Sequence, residues 1–243
     1  MMNSIEKVWK NFMNDCLKQG KWVIKDDGDK ILEIIDNHCF IENVVSSVMG
    51  ENELSLELFL NLIGKGKFNI NGYPIKDEAL KHYVLQLDDD KQIFIGKDSR
   101  FNQPYTYPER LFNIHQATRN DNIVDENQVD TIIKRLKEHN GSNRAVANLY
   151  MCSLDKDEQH IPCLQFIQCL IRDNELSLHI LFRSNDLFGA FCSNMMFLMY
   201  LGLKITNELK QTYPSLKFAG LYYNSTSLHI YQGDYEQALK VKL

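Results

Sequence analysis

The sequence predicts an α+β fold in which a mixed β-sheet packs against a long buried helix, within one domain spanning residues 1–243. Three observations lead there. Runs of β character cluster in the second half, at 145–151, 163–171, 176–183 and 217–231, instead of alternating regularly with helices. An apolar stretch of helical length, 191–211, lies between the last two runs. The clearest amphipathic helices, at 3–19 and 126–139, lie outside that block. An apolar content of 44% is enough for a substantial core in a chain of this length.

Each element has a local reason. Residues 3–19 place Ile5, Val8, Trp9, Phe12, Met13 and Cys16 on one helical stripe, and Gly20 follows as a stop. Two short β runs, 22–24 and 31–35, flank the turn-forming "KDDGDK". A helix is expected over 51–63 and another over 76–87, separated by the loop "GKGKFNINGYP", whose glycine spacing fits neither a phosphate loop nor a dinucleotide fingerprint. The "DDD" at 88–90 reads as solvated, and 91–124 as irregular and polar. The helix at 126–139 gathers Val129, Ile132, Ile133 and Leu136 on one face, with Gly141 just past its end. Ser193, Asn194, Lys204 and Asn207 interrupt 191–211, which therefore reads as a core helix ended by Pro214 and not as a membrane span.

Composition narrows the function. With 27 Lys and Arg against 32 Asp and Glu, the net charge of −5 provides no general basic surface for a nucleic-acid backbone, though a local phosphate pocket stays open. The opening "MMNSIEKVWKNFMNDCLKQG" lacks the apolar core of a signal peptide, so a soluble cytoplasmic protein without membrane or nucleic-acid partners is expected. Six cysteines without a CxxC pair suggest reduced thiols, with neither a disulfide scaffold nor a metal site.

Chemistry concentrates in "IPCLQFIQCLIRDNELSLHILFRSND", residues 161–186. "RDNE" is a turn signal between two β runs, which should pair antiparallel. A register joining odd positions to odd ones puts Cys163 nearly opposite Asn185, with Arg183 diagonal at roughly 7–8 Å between backbones. A guanidinium that close stabilises the thiolate, the nucleophilic form of cysteine. A cysteine in a β run is more commonly a core residue, and Cys152, Cys169 and Cys192 are read that way.

"PCLQF", "FRSND" and "SLHIY" together resemble the thymidylate synthase and pyrimidine-nucleotide hydroxymethylase family, most strongly over 143–231. The resemblance implies a thymidylate synthase-like fold, a homodimer, a pyrimidine nucleoside monophosphate as substrate and 5,10-methylenetetrahydrofolate as cofactor. It implies that Cys163 adds to C6 of the base, making C5 a carbon nucleophile. Arg183 and Ser184 then fall on phosphate ligands, and Asp186 on a residue that helps hold the pyrimidine. Asn194 falls on the base-reading amide, and His229 with Tyr231 on the pair that holds a sugar hydroxyl.

Elsewhere the pattern departs from the family. Where two adjacent arginines reach across a dimer to the partner's phosphate, "SNRAV" keeps only Arg144, with Asn143 beside it. "YTYPERLF" resembles the segment of a catalytic tyrosine, placed at Tyr107 with Tyr105 as the alternative, and Pro108 stands where glycine is common. "KDDG" resembles a phosphate-binding loop and nominates Lys25. The proton-relaying glutamate falls on Glu78 in "IKDEALKHYVLQL", although His82 aligns almost as well. Three outcomes stay open: methyl transfer to dUMP giving dTMP, hydroxymethylation of dUMP, dCMP or CMP, and nucleotide binding without turnover. Neither Trp9 nor Trp22 matches the tryptophan that shields the methylene intermediate in long synthases.

Overall fold

The computed structural model describes residues 4–43, 105–117 and 123–241. Helix α1, Ile5–Gln19, starts at Ser4, whose hydroxyl accepts from the Lys7 N–H at 3.3 Å, and buries the six-residue stripe expected of it. Strands β1, Lys21–Ile24, and β2, Lys30–Glu42, form an antiparallel hairpin whose turn places Gly28 at φ +90°. β2 is much longer than the run 31–35 expected from sequence. Asp36 sits at φ +57° and breaks the apolar alternation, yet pairing with the sheet resumes at Asn37 and continues to Glu42.

Helix α2, Tyr107–Phe112, is nucleated by a capping box between Thr106 and Glu109, with Pro108 in its first turn. It is followed by strands β3, Ile114–Ala117, and β4, Ile123–Glu126, which pair with each other in a segment expected to be irregular. Helix α3, Gln128–Glu138, is capped by the Asn127 side chain and buries Val129, Ile132 and Leu136. The strand expected at 145–151 shrinks to β5, Val146–Asn148, because residues 152–155 turn into the short helix α4, Cys152–Asp155. Cys152 is consequently exposed and not a core residue.

Strands β6, Leu164–Arg172, and β7, Glu175–Asp186, helix α5, Phe191–Leu209, and strand β8, Lys217–Tyr231, complete the framework, with a 3₁₀ turn, Gln232–Asp234, and helix α6, Tyr235–Ala238, behind them. The six-stranded sheet runs β1-β2-β8-β7-β6-β5, antiparallel except for the parallel β7–β8 pair. It is a mixed sheet lying against a long buried helix, as the sequence predicts. α5 buries fifteen residues, and at Gly202 an added Cβ would stand 2.2 Å from the Phe218 ring, so that ring packs directly on the helix backbone and a side chain there would displace it. Among the described residues no helix is long and apolar enough to cross a membrane. The helices expected at 51–63 and 76–87, the loop between them, the acidic run 88–90, and Glu78 with His82 lie outside the described residues.

The β6–β7 hairpin corrects the expected register. Asp173 and Asn174 both take positive φ, 51° and 61°, forming a two-residue turn that sets Arg172 opposite Glu175. Odd positions therefore face even ones, with Ile167 opposite Ile180 and Cys169 opposite Leu178. A bulge between Leu164 and Phe166 then adds one residue to β6, and beyond it Leu164 faces Phe182. The Arg183 N–H donates to the Cys163 carbonyl at 2.9 Å, so the two residues are direct partners and not diagonal ones.

Candidate active site

The bulge brings Cys163 and Arg183 together. Arg183 Nη2 lies 3.7 Å from the Cys163 sulfur, and the Ser184 hydroxyl donates to the same sulfur at 3.6 Å. The guanidinium is itself held by the residues preceding the cysteine. Its Nε donates to the Pro162 carbonyl at 3.0 Å, its Nη2 to the Ile161 carbonyl at 2.8 Å and its Nη1 to Ser184 Oγ at 3.2 Å. Two donors therefore converge on a partly buried thiol whose cationic neighbour is exposed to incoming ligands. The other cysteines lack this setting: burial pushes the Cys16, Cys39 and Cys169 thiols up to about 12 and Cys192 well above its ordinary value, while Cys152 stands exposed on α4.

At the C-terminal end of β7, Asp186 Oδ1 accepts from the N–H groups of Phe188 at 3.1 Å and Gly189 at 2.9 Å. A Cβ on residue 189 would stand 2.2 Å from Asp186 Oδ2, so a side chain there would displace the carboxylate. Asp186 faces His229 across the parallel β7–β8 ladder. His229 is only 4% exposed, and among the described residues neither ring nitrogen has a hydrogen-bond partner. Burial, reinforced by Lys25 and Arg183, lowers its pKa to about 4 and keeps the imidazole neutral.

Tyr231, two residues on, meets the His229 ring edge-to-face at 5.0 Å, and the Lys25 ammonium lies 5.2 Å from the Tyr231 ring centre. Lys25 also contacts Asp27 at 2.6 Å and Asp29 at 3.4 Å. Burial pushes the Tyr231 phenol up; Lys25 pulls it down, while Asp186 and Cys163 push it further up.

Asn194 is buried in the first turn of α5 and donates to Asn185 Oδ1 at 3.1 Å; Asn185 in turn donates to Tyr223 Oη at 3.1 Å. Sequence reasoning missed Asn185 and Tyr223. Alternation along β7 buries the even positions 176–182 and would put Asn185 on the Arg183 face, so nothing in the sequence pattern marked it as buried. Tyr107 and Tyr105 flank the cysteine: Tyr107 Oη accepts from the Leu164 N–H at 3.3 Å, and Tyr105 Oη donates to the Ile161 carbonyl at 3.1 Å. Arg144 is exposed, and among the described residues no hydrogen bond or ion pair of its side chain joins it to this cluster. Cys163, Arg183, Ser184, Asp186, Asn194, His229, Tyr231, Lys25 and Tyr107 are thus gathered at one end of the sheet, and Arg144 is not.

Residues 68–243 match the family model described as thymidylate synthase. The chain belongs to the thymidylate synthase family. A Methanocaldococcus jannaschii protein described as "Putative thymidylate synthase" is 34% identical over 165 residues, covering 65% of this chain and 66% of the other. Relatives bearing the same description are 26% identical in Methanothermobacter marburgensis, over 99% of this chain and 96% of theirs, and 26% identical in Methanosarcina barkeri, over 96% and 89%. At the family level, thymidylate synthases transfer a one-carbon unit to dUMP with methylenetetrahydrofolate as co-substrate. The matched span contains the whole cluster except Lys25.

Proposed function

We propose that this thymidylate synthase family member is a single-domain enzyme that transfers one carbon from methylenetetrahydrofolate to C5 of dUMP, giving dTMP, through an adduct between Cys163 and C6. The observation that carries the reading is the Cys163 thiol between the Arg183 guanidinium and the Ser184 hydroxyl. Attack by the thiolate at C6 moves the C5–C6 π electrons onto C5, which becomes nucleophilic. Arg183 and Ser184 then hold the phosphate beside the thiol through charge-assisted bonds, with Lys25 as a second cation.

A nucleotide fits the remaining groups. The neutral His229 ring has one donor and one acceptor nitrogen, neither with a partner among the described residues, and a sugar hydroxyl can pair with either. Tyr231 completes that contact, Asn194 reads the uracil edge, and Asp186 helps hold the pyrimidine. In this reading Tyr107, whose hydroxyl accepts from the N–H next to Cys163, helps remove the C5 proton, with Glu78 relaying protons through water. Elimination of Cys163 restores the C5–C6 double bond. Methylenetetrahydrofolate supplies the carbon and, for a methyl product, the hydride.

A cytoplasmic homodimer is part of this reading. Phe40, Tyr222 and His179 lie side by side across β2, β8 and β7 on the sheet face away from α5, where Tyr222 is 47% and Leu181 37% exposed. Arg183 shares that face; the resemblance to the family implies that the second copy's Arg144 reaches the phosphate across such an interface.

Hydroxymethylation is the second reading, favoured by the position of both tryptophans. The Trp9 indole donates to the Leu187 carbonyl in the core and Trp22 packs on Tyr235, so neither shields the thiol from water. Product mass from dUMP, dCMP, UMP and CMP, recorded with absorbance, decides. Dihydrofolate rising in step with dUMP loss supports methyl transfer, and a hydroxymethyl product with tetrahydrofolate regenerated supports the second reading. Binding without any product would leave a non-catalytic nucleotide-binding protein.

A further inference from the structure

We infer that Tyr105, backed by the buried Arg110–Asp155 pair, is a positioning residue that aims Arg183 at Cys163. The inference rests on Cys163 being the nucleophile of the proposed reaction. The Ile161 carbonyl accepts two hydrogen bonds, from Tyr105 Oη at 3.1 Å and from Arg183 Nη2 at 2.8 Å. The same Nη2 also donates to the Cys163 sulfur, at 3.7 Å. How firmly that carbonyl is held therefore decides how much of the guanidinium is left to the thiolate. Tyr105 anchors the same carbonyl oxygen through its hydroxyl.

Tyr105 is itself held from behind. The Arg110 guanidinium lies 5.7 Å from its ring centre, and Arg110 Nη2 contacts Asp155 Oδ1 at 2.6 Å, with both side chains buried. Asp155 Oδ2 accepts from the Met151 N–H at 2.7 Å, so both carboxylate oxygens are engaged. The backbone of Arg110 is fixed as well, because Gln128 Nε2 donates to its carbonyl at 2.7 Å and to the Asn148 carbonyl at 2.9 Å. A continuous set of contacts thus runs from α3, β5 and α4 through Arg110 and Tyr105 to the segment just before Cys163. A buried ion pair of this kind adds little net stability over apolar residues of the same size, which leaves positioning as its contribution.

Tyr105→Phe removes only the hydroxyl and keeps the packed ring. Without it the Ile161–Pro162 segment relaxes toward Arg183, and Nη2 moves off the sulfur. The test is iodoacetamide alkylation of the resting protein, with Cys163 followed by peptide mass and a small free thiol as reference in the same mixture. Cys163 is expected to react about fivefold more slowly, the factor set by one hydrogen bond of ordinary strength. With dUMP as substrate, kcat should fall by a similar factor while KM stays within about twofold, since Arg183 still binds phosphate. The double variant Arg110→Met with Asp155→Leu, which leaves no buried charge unpaired, should show the same slowing with its fold intact by circular dichroism. Unchanged Cys163 alkylation in Tyr105→Phe overturns the inference, as does a rise in KM with kcat unchanged. Slowed alkylation in a protein that turns over no nucleotide sinks the proposed reaction but leaves the positioning role standing.

Discussion

Acid should destabilise this protein through a single buried imidazole. His229 is 4% exposed, its ring nitrogens have no partner among the described residues, and its pKa falls from 6.5 to about 4 on folding. Above the unfolded value of 6.5 both states are neutral there and stability is unaffected. As the pH falls from 6.5 toward 4 the unfolded chain takes up a proton that the folded chain refuses, so stability is lost across that window and the loss levels off below it. The gap between the two values corresponds to about 3 kcal/mol, a large share of an ordinary folding stability of about 5–15 kcal/mol. His229→Gln replaces the imidazole with a neutral amide of similar reach. Urea unfolding of parent and variant at several pH values between about 7 and about 4 should show the parent losing about 3 kcal/mol more than the variant. His179, lowered by burial and Arg172, and Asp27, lowered chiefly by its hydrogen bond to Lys25, titrate in both proteins and cancel. Parallel pH dependences in the two proteins would refute the reasoning.

Two further outcomes follow from the same cluster. Arg183→Ala should weaken nucleotide binding by about 1.5–3 kcal/mol by titration calorimetry and slow Cys163 alkylation as well, because one guanidinium serves both groups; weaker binding with unchanged alkylation would remove its role in activating the thiol. Asn194→Asp should shift the kcat/KM ratio from uracil toward cytosine by roughly ten- to a hundredfold, since cytosine reverses the donor and acceptor that an amide offers to O4 and N3–H; equal turnover of both bases by the parent would sink that assignment.

The elements most legible in the sequence are those whose signal is local and repeated. α1 and α5 announce themselves through apolar stripes, and the β6–β7 hairpin through a two-residue turn between apolar runs. The site was legible where its residues sit on contiguous motifs: Cys163 after Pro162, Arg183 to Asp186 on one strand, His229 and Tyr231 two apart on another. A single extra residue near Gln165 hides from any periodicity, yet it shifts the register at that end of the hairpin by one and makes Arg183 the direct partner of Cys163. The second half of β2 was hidden for another reason: its "DNH" is polar and Asp36 takes a left-handed conformation, so pairing with β8 holds it in the sheet where propensity does not. The Asn194–Asn185–Tyr223 chain and the grip of Tyr105 on Ile161 join residues far apart in sequence, and only the fold brings them together.

The central claim, that Cys163 forms a covalent bond to C6 of a uracil nucleotide on the way to one-carbon transfer at C5, is tested most directly with 5-fluoro-dUMP. Fluorine at C5 cannot leave as a proton does, so the reaction stalls with nucleotide, co-substrate and protein joined. Intact-protein mass measured after incubation with 5-fluoro-dUMP and methylenetetrahydrofolate should show that ternary adduct on the parent chain, map it to Cys163, and show none on Cys163→Ser. A folded parent protein that binds the nucleotide yet forms no adduct, or a Cys163→Ser variant that forms one, would contradict the account.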